Sequence, residues 1–211
     1  MESPMDATVE ETPDAFISDL CRSIERAGER LARATKDFAI GDLARNAHPE
    51  RMISFYYITA ILDALQDGCA LLEVPVPNVT ATRGDNHIDA LLFDRTRVIF
   101  CEFKRAWLPA HWPALANDAI RINRLTPELL GRFRVTGRRT FGFFGSDCWW
   151  TSVADAWATG SAYKRWMLPK VFSSMSRHSY KAWDNSDRRV AGCDGYYLTW
   201  AVQSMHSSSA A

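Results

Sequence analysis

Asp89, Glu102 and Lys104 are the side chains around which chemistry can be argued. They lie in the stretch HIDALLFDRTRVIFCEFKRAW, from His87 to Trp107. Two apolar runs, Ala90–Phe93 and Val98–Phe103, flank a short polar turn, Asp94-Arg95-Thr96-Arg97, and both read as buried strands. Side chains alternate faces along a strand, so Glu102 and Lys104 share one face and Phe103 takes the other. Asp89 comes beside them across the hairpin when the turn is tight. Burying such charges without partners costs several kcal/mol, and function is a reason for a chain to accept that cost. Two carboxylates suit Mg²⁺, with Mn²⁺ as an alternative. Mg²⁺ prefers oxygen and keeps several waters of its own. The backbone carbonyl of Phe103 is a further oxygen donor. Such an ion polarises a phosphoryl oxygen and lowers the pKa of an attacking water. Lys104 as an ammonium stabilises the charge that builds at phosphorus. With a pKa depressed by burial it would instead orient or deprotonate the water. The paired carboxylates favour the charged form.

The elements that must position these residues follow from periodicity. Residues 1–12 read as a disordered leader. Thr12-Pro13-Asp14 reads as an N-cap, a Pro at N1 and a first-turn acid. Phe16, Ile17, Leu20, Ile24, Ala27, Leu31 and Ala34 then mark an amphipathic helix. Residues 40–46 form a short connection. A second helix opens near Pro49 and runs to about Gln66, with Gly68 at C′. It is apolar on most sides and is expected in the core. Strands are expected over Leu71–Val76, about Ile88–Phe93, and then Val98 onward. A helix is expected from about Pro113 to Leu125, a further short one capped by Thr126-Pro127-Glu128, and a strand over Arg139–Gly145. Helices over Ser152–Ala158 and Ala162–Met175 and a last strand over Gly195–Val202 complete the reading. Residues 13–203 are expected to form one domain, followed by a disordered tail over 204–211. Three strands and a helical crossover imply an α/β domain with a mixed sheet flanked by helices.

Asp89 followed by Glu102-Phe103-Lys104 on the next strand resembles the motif of the PD-(D/E)XK nuclease superfamily, the restriction-endonuclease-like fold. The core of that superfamily runs helix, three strands, helix, strand, the order read above, here over about residues 48–145, with a C-terminal elaboration beyond. The superfamily commonly places a Glu on its first core helix, and HPERMISFYYITAILDALQDG supplies Glu50. The residue before Asp89 is Ile88 where the motif has Pro. Glu50 also sits in a first helical turn, where the helix dipole favours an acid in any case. The resemblance implies Mg²⁺-dependent hydrolysis of phosphodiester bonds, most often in DNA. It makes Asp89 and Glu102 metal ligands, Lys104 the catalytic lysine and Glu50 an accessory acid. A single site cuts one strand, so double-strand cleavage would call for a homodimer or two sequential events. The competing readings are a nucleic-acid-binding module of the same fold without turnover, and a partner-binding protein.

Charge distribution bears on the partner. Residues 1–104 carry 11 Lys+Arg and 18 Asp+Glu, whereas residues 105–211 carry 14 Lys+Arg and 7 Asp+Glu. All eight tryptophans fall in the second, basic half. Basic residues mixed with aromatics serve single strands or flipped bases; alternatively the tryptophans are core and the basic residues a solvated face. Arg132, Arg134, Arg138 and Arg139 in GRFRVTGRR are candidates for backbone phosphate contacts. Asn117, Asp118 and Arg121 on the following helix are candidates to face the site or the phosphates. Asp85 and Asp94 read as turn residues, and His87 as a solvated loop residue. The five cysteines are scattered, with no CxxC or Cys/His cluster, so structural zinc and a disulfide framework are unsupported. No apolar run approaches the ~18 residues a membrane span requires. The acidic N-terminus lacks the apolar stretch of a signal peptide, and a cytoplasmic location is expected.

Overall fold

The computed structural model describes residues 13–38, 50–65, 67–75, 87–105, 108–124, 130–131, 138–162, 164, 166–185 and 193–205. The elements in chain order are α1 (Pro13–Phe38), α2 (Glu50–Ala64), β1 (Cys69–Pro75), β2 (His87–Phe93), β3 (Arg97–Lys104), α3 (Trp112–Asn123), β4 (Arg139–Cys148), α4 (Thr151–Thr159), β5 (Ser176–Asp184) and β6 (Gly195–Met205). Single 3₁₀ turns stand at Pro109–His111 and Lys170–Ser174. The expected leader, the 40–46 connection, the cap at 126–128, Asp85, Arg132 and Arg134 lie outside the described residues.

One six-stranded sheet runs in the order β1-β2-β3-β4-β6-β5. Four of its ladders are antiparallel, and β3 and β4 pair in parallel. A parallel pair needs a crossover, and α3 lies within it. The protein is thus a mixed α/β structure in which the expected order of helix, three strands, helix and strand is present from α2 to β4. β3 and β4 are buried along nearly their whole length, because helices cover both faces. On one face α1 and α2 pack Phe16, Leu20, Ile24, Ile53, Tyr57 and Ile61 against Ile99, Phe103, Phe141 and Phe143. On the other, α3 and α4 pack Trp112, Leu115, Ala119 and Trp157 against Phe100 and Phe144.

Local sequence explains the elements. The buried residues Phe16, Leu20, Ile24, Ala27 and Leu31 of α1 recur every three or four positions, the stripe of an amphipathic helix. α2 is less buried than its composition suggests, with Phe55 65% exposed. It packs closely through Tyr57, made possible by Gly145: a Cβ there would fall 2.7 Å from the Tyr57 ring. The Tyr57 hydroxyl donates toward the main-chain oxygens of Ser146 and Thr199, at 2.7 and 2.9 Å. α4 ends at Gly160, whose φ of 75° is the left-handed conformation that a helix stop favours.

The region after α4 departs from expectation. A helix over Ala162–Met175 is absent; the described part is irregular until the 3₁₀ turn at Lys170–Ser174, after which β5 begins. Pro169 lacks an N–H and restricts the residue before it, which blocks a continuous helix. β5 has no apolar run in its sequence because it is an edge strand, half-exposed along most of its length. β6 extends to Met205, so Ser204 and Met205 belong to the sheet and not to a tail. Four tryptophans, Trp112, Trp149, Trp157 and Trp200, are buried. Those rings are core and present no face for base stacking.

Candidate active site

The site stands at the C-terminal end of β3, where that strand passes between β2 and β4. The β2–β3 ladder closes with Ala90 paired to Cys101, and Asp89 and Glu102 are the next residues along their strands. The Asp89 carboxylate accepts a 2.7 Å hydrogen bond from the Phe103 N–H. In extended backbone the N–H and C=O of one residue point to the same side, so the Phe103 carbonyl also faces the β2 side. The Phe103 ring lies on the opposite face, stacked on Tyr57 at 5.8 Å. The alternation expected along Glu102-Phe103-Lys104 is therefore realised.

Glu102 is 1% exposed. Its Oε1 accepts from Arg121 Nη2 of α3 at 2.5 Å. The same nitrogen is 3.2 Å from Asp118 Oδ1, and Lys104 Nζ is 3.7 Å from Asp118 Oδ2. The result is a compact group of three carboxylates with two cations. Burial pushes the Glu102 carboxyl up to about 9, reinforced by the charges of Asp89 and Asp118 and opposed by Arg121. Lys104 is the more open of the two cations, with its side chain 38% exposed.

The remaining predicted residues fall in different places. Glu50 opens α2, and its side chain lies outside the described residues. Tyr57, two turns further on, contacts Phe103 and the Ser146 carbonyl, and Ser146 pairs with Lys104. Asn117 is exposed on α3 beside Asp118. Asp118 and Arg121, candidates to face the site or the phosphates, face the site, with Arg121 joined to Glu102 and Asp118. Arg138 and Arg139 are at the other end of the sheet: Arg139 pairs with Arg97, whereas Glu102 pairs with Phe144. Five residues at ~3.3 Å per residue separate them by ~16 Å along the strand. Arg138 there lies over the Phe93 ring at 5.8 Å. Asp94 is a turn residue, as expected: its Oδ1 accepts from the N–H groups of Thr96 and Arg97 at 2.7 Å each. His87 is exposed at the start of β2.

Asp118 is the acid that the motif alone does not name. Its three-residue spacing from Arg121 places both on one helical face, but which face α3 turns to the sheet is set by Trp112, Leu115, Ala119 and Ile122. Among the described residues no group of three or more His, Cys, Asp or Glu is placed to hold a metal ion by itself. Asp89 and Glu102 with the Phe103 carbonyl are the oxygen donors that fit a Mg²⁺ or Mn²⁺ ion. Such ions take one or two carboxylates and complete their shell with water and substrate. All five cysteines are free thiols, and Cys101 and Cys148 are buried. No helix among the described residues is long and apolar enough to cross a membrane. Comparison with protein-family models, with curated proteins and with solved structures finds no match.

Proposed function

We propose that the chain is a metal-dependent nuclease that hydrolyses phosphodiester bonds, with DNA as the substrate. One observation carries this reading. Asp89, Glu102 and Lys104 meet at one end of the sheet, Glu102 and Lys104 on the face of Asp118 and Arg121, with Asp89 hydrogen-bonded to the Phe103 N–H between the other two. When bound by Asp89, Glu102 and the Phe103 carbonyl, Mg²⁺ supplies Lewis acidity toward a phosphoryl oxygen and acidifies water. Asp89 and Glu102 would supply the carboxylate oxygens, and the ion would offset the burial that disfavours the ionised form of Glu102. Lys104 presents an ammonium where charge develops on the phosphate and stabilises it there. The burial of Glu102 limits water at that carboxylate, which strengthens the electrostatics of the group.

The test is cleavage of plasmid and single-stranded DNA with Mg²⁺, Mn²⁺ or EDTA, for the wild type and for Lys104→Ala. Metal-dependent cutting by the wild type, reduced at least about a hundredfold in the variant, is the expected result. Cutting that survives in Lys104→Ala would place the activity elsewhere. The Arg121–Glu102 ion pair favours one alternative, a nucleic-acid-binding or partner-binding module of the same fold without turnover. That alternative is indicated if neither protein cuts and neither Mg²⁺ nor Mn²⁺ binds.

A further inference from the structure

Arg121 holds one oxygen of the Glu102 carboxylate. Its Nη2 is 2.5 Å from Glu102 Oε1, and Mg²⁺ coordinates carboxylate oxygens at ~2.1 Å. An ion that takes Oε1 at that distance must displace the guanidinium nitrogen from it. Little space is open around the pair, since the Glu102 side chain is 2% exposed and that of Arg121 17%. A second partner is already in reach: Asp118 Oδ1 lies 3.2 Å from the same nitrogen, on the same helix. Arg121 can therefore give up Glu102 and keep Asp118 without moving α3.

We propose that Arg121 and the divalent cation compete for the Glu102 carboxylate, so that Arg121 is a built-in counterion which the metal displaces onto Asp118. The inference rests on the nuclease reading above for the identity of the metal ligands. Without the metal, Arg121 balances a group of three carboxylates that would otherwise repel one another. With the metal, the guanidinium and the ion repel one another across the Glu102 carboxylate, which favours the move of Arg121 onto Asp118. Arg121 is thus a positioning residue that sets the affinity and order of metal binding.

Two measurements test this. Titration of Mn²⁺ into the folded proteins is expected to show about tenfold tighter binding by Arg121→Gln than by the wild type, within the usual range of coupling between sites. Equal or weaker binding by a folded Arg121→Gln overturns the proposal. The second measurement uses the wild type and needs no substitution. The Arg121 guanidinium ¹⁵N resonances, slowed in rotation by the ion pair, are expected to change exchange regime as Mg²⁺ is added. Resonances that stay unchanged while Mg²⁺ saturates the protein overturn it. Asp89→Asn and Glu102→Gln separate the two levels of failure. Metal binding that both variants retain overturns the ligand assignment and the competition together. Metal binding that both lose, together with Arg121→Gln binding Mn²⁺ no tighter than the wild type, overturns the competition alone.

Discussion

Glu102 shows what a single residue contributes and what it costs. It is buried beside Asp89 and Asp118, and that environment disfavours its ionised form. Arg121 offsets the effect only in part. Replacing the carboxylate by an amide of the same shape removes the repulsion and keeps an acceptor for Arg121. Glu102→Gln is therefore expected to melt no lower than the wild type in EDTA, a stability gain at a functional position. Mg²⁺ is expected to raise the wild-type melting temperature and leave that of Glu102→Gln unchanged, since a ligand stabilises only the state that binds it. Thermal unfolding with and without the metal checks both. The motif residues were legible in the sequence because strand alternation brings positions two apart onto one face. Arg121 was legible as a helical neighbour, but not as the partner of Glu102, since that contact joins residues 19 positions apart.

At the scale of elements, α2 is held at the site end of the sheet by Tyr57 over Gly145. Tyr57→Phe removes the donor to two buried carbonyl oxygens and is expected to cost about 1–3 kcal/mol of stability. Gly145→Ala forces a methyl group against the Tyr57 ring and is expected to cost about 1–3 kcal/mol by overpacking. Chemical denaturation measures both. β5 carries a titratable group of its own. His178 stacks on Trp200 at 5.4 Å, and burial holds its imidazole below the usual range. The unfolded chain then binds the proton more readily than the folded one. The contribution of His178 is present above the ordinary histidine range and is lost as pH falls through it. Stability curves of the wild type and His178→Gln are expected to draw together or cross between about pH 7 and 5. An unchanged difference across that interval would contradict it. β5 escaped sequence reading because an edge strand with one covered face needs no apolar run.

At the scale of the whole molecule, the acidic and basic halves of the chain share one sheet. β6, from the basic half, lies against β4, and β4 against β3. Stability is expected to follow that order. Amide hydrogen exchange should be slowest in β3 and β4, buried on both faces, and faster in the edge strands β1 and β5. Slow exchange in β1 together with fast exchange in β4 would contradict the layering. By itself the sequence determined the helix stripe of α1, the order of elements from α2 to β4, the Asp94 turn and the shared face of Glu102 and Lys104. All of these rest on local periodicity and turn chemistry, which act over a few residues. Only the tertiary structure decided that Arg121 sits on Glu102, that Arg138 and Arg139 lie ~16 Å from the site along the strand, and that four tryptophans are core. Those outcomes depend on strand register and on which helix face meets the sheet. Long-range packing sets both, and no short stretch of sequence encodes either.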